Sequence, residues 1–139
     1  MEKKKEISDI VNQLIKRSEG KLVSARILLE SDRIDDAISR AYYAAFLSVR
    51  ALLYLLGVSA RTHSGVLTIF GLRVIKEGLL PPKIGKYLNE LFEARETSDY
   101  AVVFYYTKED GKKYIQKAEE IINAVKNLLK DKFKLKFET

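Results

Sequence analysis

Apolar residues in the first part of the chain fall three or four positions apart: Ile7, Ile10, Val11, Leu14, Ile15, then Leu22, Ala25, Leu28 and Leu29. Lys16, Arg17, Glu19, Lys21 and Arg26 occupy the other face, so the spacing predicts an amphipathic helix over residues 7–30. Gly20 lies inside this pattern, costs about 1 kcal/mol relative to Ala, and marks a place for a bend. Ser31 and Asp32 offer oxygens to cap a second helix, which starts near Ile34 and runs to Gly57. Thr62 caps a third helix of about twelve residues, ending before Gly78 and the Pro81-Pro82 pair. Pro82 suits the first position of a fourth helix, with Ile84, Leu88, Leu91 and Phe92 on one side. Thr107 to Asp110 reads as a capping box with Asp in place of Glu, opening a fifth helix through Ile115, Ala118, Ile122, Val125 and Leu129. Residues 101–106 favour strand by propensity, but a lone strand has no partner, so an extended loop is expected there. Short connections then predict an all-α, antiparallel bundle of four to five helices.

The second helix carries more apolar surface than one core face needs. Ile34, Ala37, Ile38, Ala41, Tyr42, Ala45, Val49, Leu52, Leu53 and Leu56 suffice for the core. Arg40, Tyr43, Leu47, Arg50 and Tyr54 form a second line, with the Tyr, Leu and Arg composition of an interface centre. Long side chains snorkelling over a helix surface are the alternative. An interface is favoured, and with it a homodimer joined through the second and fourth helices. The span 41–60 has Arg50 as its only charge, but Arg at mid-span costs about 2.5–3.5 kcal/mol in a bilayer, so burial in a core or a dimer seam is expected instead.

With 139 residues, a single domain over 1–139 is expected, ending in a Lys-rich tail over about 130–139. Phe133, Leu135 and Phe137 alternate with Lys there, which suits a frayed, solvated tail or one ordered by contact with a partner. The apolar fraction of 47% excludes disorder as the organising state. The absence of Cys excludes disulfide frameworks and thiolate metal sites, and the single His63 excludes a multi-His centre within one chain. No metal or cofactor is expected, and no signal-peptide core follows the basic N-terminus, so the expected location is cytoplasmic. A net charge of +6 permits an acidic partner such as RNA.

Three places exceed what a bundle needs. Arg95 falls on the apolar line of Ile84, Leu88 and Leu91, where an unpaired guanidinium is prohibitively costly. It either pairs with Asp99 one turn on or, together with that neighbourhood, holds an anion. His63 lies beside Arg61 near a helix start, a place that suits an anion through free amides, although a lone His is more often structural. Arg40 and Tyr43 on the second line are further ligand-binding candidates. No glycine-rich phosphate loop, paired-carboxylate set or nucleophile elbow occurs in the sequence.

The run from Asp35 to Phe46, DDAISRAYYAAF, followed by Arg50-Ala51-Leu52-Leu53, resembles the second helix of the HEPN domain family. Thr62-His63-Ser64-Gly65-Val66 with Phe70-Gly71, and Arg95-Glu96-Thr97-Ser98-Asp99-Tyr100, match later blocks in the same order. The resemblance covers nearly the whole chain, from about Ile10 to Leu129. It implies a helical bundle that forms homodimers and is often encoded beside a minimal nucleotidyltransferase. Active members are metal-independent ribonucleases of toxin–antitoxin and defence systems. In them an Arg binds the scissile phosphate and a His, a few residues on, assists attack by the ribose 2′-OH in a cleft between subunits. Carried over, Arg95 takes the Arg position and Tyr100 stands where the His would be; Leu47 stands where related sequences often have a further His.

A phenol is a poor general base at neutral pH, though its hydroxyl still donates a hydrogen bond. The resemblance therefore implies an RNA- or nucleotide-binding module and partner of a minimal nucleotidyltransferase, ahead of a metal-independent ribonuclease using Arg95 and Tyr100. On an ideal helix five residues of separation place these two about 140° apart. Either the helix breaks before Tyr100 or the two converge across a dimer.

Overall fold

The computed structural model describes residues 2–103 and 105–137. The chain forms α1 (Glu2–Glu30), α2 (Ile34–Leu55), α3 (His63–Phe70), α4 (Pro82–Tyr100) and α5 (Lys108–Asp131). Among the described residues there is no strand, and the expected all-α bundle is what the chain adopts. α3 continues into a single π-helical turn, Gly71–Ile75.

α2 is the centre of the bundle and contacts α1, α3, α4 and α5. Ala37, Ile38, Ala41, Tyr42, Ala44, Ala45, Phe46, Leu47, Ser48 and Val49 are all buried, so it is covered on nearly every side. That placement accounts for its surplus of apolar residues, since a helix apolar all round belongs inside a core. The second line divides accordingly: Leu47 is only 6% exposed within the single chain, while Arg40, Arg50 and Tyr54 reach solvent. No described helix is long and apolar enough to cross a membrane.

α1 and α2 make the most extensive helix pair. Small residues let them approach, and the buried Ser18 hydroxyl donates to the Ala44 carbonyl at 2.5 Å. α1 runs without interruption past Gly20, whose exposed position needs no special backbone.

Helix ends follow local chemistry, with two departures from expectation. Thr62 accepts from the Gly65 amide, and Thr107 with Asp110 completes the reciprocal capping box. Ser31 and Asp32 do not cap α2, whose N-cap is Arg33 without a side-chain bond. Asp32 instead stops α1: at φ 61° it turns the chain left-handed, and the Arg33 amide donates back to the Leu28 carbonyl. A short Asp side chain tolerates that conformation better than most, and Gly57 does the same after α2.

The tail is the second departure. Phe133, Leu135 and Phe137 are partly buried against the core, and the Lys126 ammonium lies 5.6 Å from the Phe137 ring centre. Lys134 at φ 60° turns the chain back after α5, so alternate residues face the protein and the intervening Lys face solvent. Residues 101–103, 105 and 106 form no regular element; Phe104, Glu138 and Thr139 lie outside the described residues.

Candidate phosphate-binding groove and the arginine–tyrosine cluster

Tyr42 and Tyr43 are consecutive on α2 and point to different partners. The Tyr42 ring is fully buried between Phe46, Phe92 and His63, and its hydroxyl lies 2.7 Å from His63 Nδ1. Burial pushes the Tyr42 phenol well above its usual pKa, so it stays protonated. The Tyr43 hydroxyl accepts from Arg95 Nη2 at 2.7 Å. The rings of Tyr42 and Tyr43 meet edge to face, and Arg95 Cζ sits 5.8 and 5.3 Å from their centres.

Arg95 is only 13% exposed and is neutralised within the chain. Nη1 donates to Glu96 at 2.8 Å, while Nε lies 2.9 Å from Asp99 Oδ2, an ion pair whose angle does not make it a hydrogen bond. Burial disfavours the guanidinium charge, but Tyr43, Asp99 and Glu96 outweigh burial and raise its pKa.

Arg95 and Tyr100 do converge, and by neither expected route. α4 continues through Tyr100 without a break, and Arg95 Cζ lies 5.8 Å from the Tyr100 ring centre in the same chain. The attraction to Asp99 one turn on draws the long guanidinium toward the helix end, where the Tyr100 ring folds over it. Tyr100 is 69% exposed, so this contact faces water.

His63 is the first residue of α3, placed by the Thr62 cap. Its ring stacks on Phe46 at 4.3 Å and 17°, with Tyr43 edge-on at 5.8 Å. Burial first, then the nearby Arg95, lower its pKa; Arg50 adds to this and Glu96 opposes it. The imidazole is therefore neutral at physiological pH.

Beside His63 opens a groove of about 350 Å³ lined by Arg17, Lys21, Arg40, Tyr43, Phe46, Leu47, Arg50 and His63. Four cations surround an aromatic and aliphatic floor, and among the described residues no carboxylate lines it. Among the described residues none of the four cations has an ion-pair partner. Such a surface attracts anions.

The structure thus brings His63, Arg40 and Tyr43 to one groove and joins Arg95, Asp99 and Tyr100 to it through Tyr43. Arg61 is exposed and does not line the groove. Sequence reasoning missed Arg17 and Lys21, which read as the solvated face of α1; their i, i+4 spacing was the available signal. It also missed Tyr42 as a partner of His63, although a Tyr on a buried stripe needs somewhere to put its hydroxyl.

A helical bundle centred on one enclosed helix, with a cationic–aromatic groove, is the class of protein defined so far. Comparison with known proteins makes it specific: the sequence profile described as HEPN domain matches residues 11–128, and the chain belongs to that family. A UPF0332 protein of Thermotoga maritima is 37% identical over 122 residues, covering 88% of this chain and 92% of that protein. A protein of Methanocaldococcus jannaschii named as a candidate toxin is 33% identical over 127 residues, covering 91% and 94%. The crystal structure of an archaeal HEPN homologue superposes with a TM-score of 0.68 at 25% identity, covering 84% of this chain and 95% of that one.

Proposed function

We propose that this chain is a toxin-like HEPN module that binds RNA or nucleotide phosphate in the groove between α1, α2 and the start of α3. The observation that carries this reading is the set Arg17, Lys21, Arg40 and Arg50 around Tyr43, Phe46 and His63, with no lining carboxylate among the described residues. Phosphates neutralise the unpaired cations, and an unstacked base lies against the rings. Arg95 acts from behind, since its charge is balanced by Glu96 and Asp99 and its hydrogen bond holds Tyr43. The module works as a cytoplasmic homodimer joined through α2 and α4, with a minimal nucleotidyltransferase as its partner. The M. jannaschii relative supports the toxin-like part of this reading.

Titration of a fluorescent single-stranded RNA, followed by anisotropy across salt concentrations, tests it. Each phosphate contact contributes about 0.7 to the slope of log affinity against log salt for single strands. Arg40→Ala with Arg50→Ala should flatten that slope by more than one contact, and Lys134→Ala with Lys136→Ala should not. Equal losses from both pairs would mean diffuse attraction to a basic protein and would overturn the reading.

A ribonuclease is the second reading, favoured by the contact of Arg95 with Tyr100 inside one chain. Both side chains then meet the same phosphate without help from a second copy, with Arg95 stabilising its charge.

A further inference from the structure

Tyr42 and His63 form a pair that the groove's charges do not explain. The Tyr42 ring is fully buried, and the 2.7 Å contact with His63 Nδ1 is the hydrogen bond its hydroxyl has among the described residues. Two arrangements of protons fit that distance. If Nδ1 carried the imidazole proton, the phenol would accept, and its own O–H would point without an acceptor into a core of Phe46 and Phe92. A buried donor left unmade is costly, whereas a hydroxyl oxygen with spare lone pairs is cheap. The phenol therefore donates, Nδ1 accepts, and the single proton of the neutral ring sits on Nε2. Stacking on Phe46 and the edge of Tyr43 hold the ring plane. With Nδ1 turned to the buried phenol, Nε2 is the nitrogen left for the groove that His63 lines.

We propose that His63, locked by Tyr42 as the Nε2–H tautomer, is an uncharged hydrogen-bond donor to a phosphate oxygen in the groove. This rests on phosphate entering the groove, and it assigns the group that orients it. Arg17, Lys21, Arg40 and Arg50 supply attraction through flexible side chains, whereas the imidazole is fixed on three sides and gives one direction. It also gives His63 a defined limit. The Nδ1 lone pair is occupied and Nε2 is already protonated, so in this state His63 orients a phosphate and accepts no proton from a 2′-OH. Tyr42 is then a positioning residue acting through His63. A phosphodiester of RNA and the terminal phosphate of a free nucleotide share the recognised chemistry.

His63 is the only histidine in the chain, so its ring nitrogens are observable without assignment. The experiment records long-range proton–nitrogen spectra of the ¹⁵N-labelled full chain at neutral pH. Three probes are then titrated: inorganic phosphate, AMP, and a 2′-O-methylated single-stranded oligonucleotide that cannot be cleaved. The expected result is a pure Nε2–H pattern in the free protein and a saturable shift of the Nε2 signals with phosphate-bearing probes. Saturation by AMP but not by the oligonucleotide would identify a free nucleotide as the source; the reverse would identify RNA. Tyr42→Phe should give a mixture of tautomers and weaken binding about five-fold, the worth of one hydrogen bond. Arg50→Ala should weaken binding while leaving the tautomer unchanged, which separates charge from the lock. An Nδ1–H pattern in the unaltered protein, or Nε2 signals indifferent to all three probes, would overturn the proposal, and neither depends on a variant that folds. RNA binding with His63 unmoved sinks this proposal alone. A response to AMP or phosphate without oligonucleotide binding sinks the RNA reading and leaves this one standing.

Discussion

Arg95 donates to the Tyr43 hydroxyl at 2.7 Å, tying the last turns of α4 to the middle of α2. Tyr43 also lines the groove, so one phenol joins a charge-balanced cluster to an unbalanced one. The cluster behind is hydrogen-bonded and charge-balanced; the groove in front is open and cationic.

Replacing Arg95 should therefore loosen the groove as well as the helix end. Arg95→Ala leaves the Tyr43 oxygen, Glu96 and Asp99 without their shared partner and should cost about 1–3 kcal/mol, read as a lower urea midpoint. RNA affinity should fall more than in Lys134→Ala, whose charge is one of many. Arg95→Lys should recover little, because an ammonium cannot reach three partners in one plane.

Stability should depend on pH through His63. Its pKa is lowered in the folded chain, chiefly by burial and Arg95, so the unfolded chain binds that proton more readily. Stability is then complete above the ordinary imidazole value of about 6.5 and declines as pH falls through that value toward the lowered one. Urea midpoints at pH 7.5 and 5.5 should separate in the unaltered protein and draw together in His63→Gln. The same separation in both proteins would assign the effect to other groups.

No robust metal-independent cleavage of RNA is expected at neutral pH. The His63 lone pair is engaged by Tyr42, and a phenol stands at position 100, where the family resemblance set out above implies an imidazole in active members. General acid–base assistance typically contributes about 10²–10⁴-fold. Tyr100→His should raise cleavage of a labelled RNA in EDTA, giving 2′,3′-cyclic phosphate ends, and adding Arg95→Ala should abolish the gain. Strong cleavage by the unaltered protein, stopped by Arg95→Ala, would favour the ribonuclease reading instead.

Light scattering at micromolar concentration should report about twice the 15.9 kDa chain mass. With Leu47 buried in its own chain, the exposed ring of Tyr54 is the better probe, and Tyr54→Glu should shift the mass toward a monomer. A monomer throughout that concentration range removes the dimer from the proposal.

The helices were legible because their signals are local. Thr62, Pro82 and the Thr107–Asp110 box each act within one turn, and each marks its helix start in the structure. Asp32 was misassigned because an oxygen that caps one helix also suits a left-handed stop for the one before; only the path of the backbone decides. The tail was misread for a different reason: its Phe and Leu alternate with Lys, and nothing in that alternation says whether a core lies alongside. The groove was the least legible part. Arg17 and Lys21 are ordinary surface residues of α1 until α1 lies against α2, a pairing of buried residues far apart in sequence such as Ser18 and Ala44.

That small contact sets a spacing. Ser18 follows Arg17 and Ala44 follows Tyr43, so this buried hydrogen bond between the two helices lies beside the two banks of the groove. A hydroxymethyl against a carbonyl is a small spacer between the banks, much as a shim sits in the gap between two rails. Filling that contact with a larger side chain would part the rows of positive charge without removing any of them. The groove would keep its composition and change the distance across it.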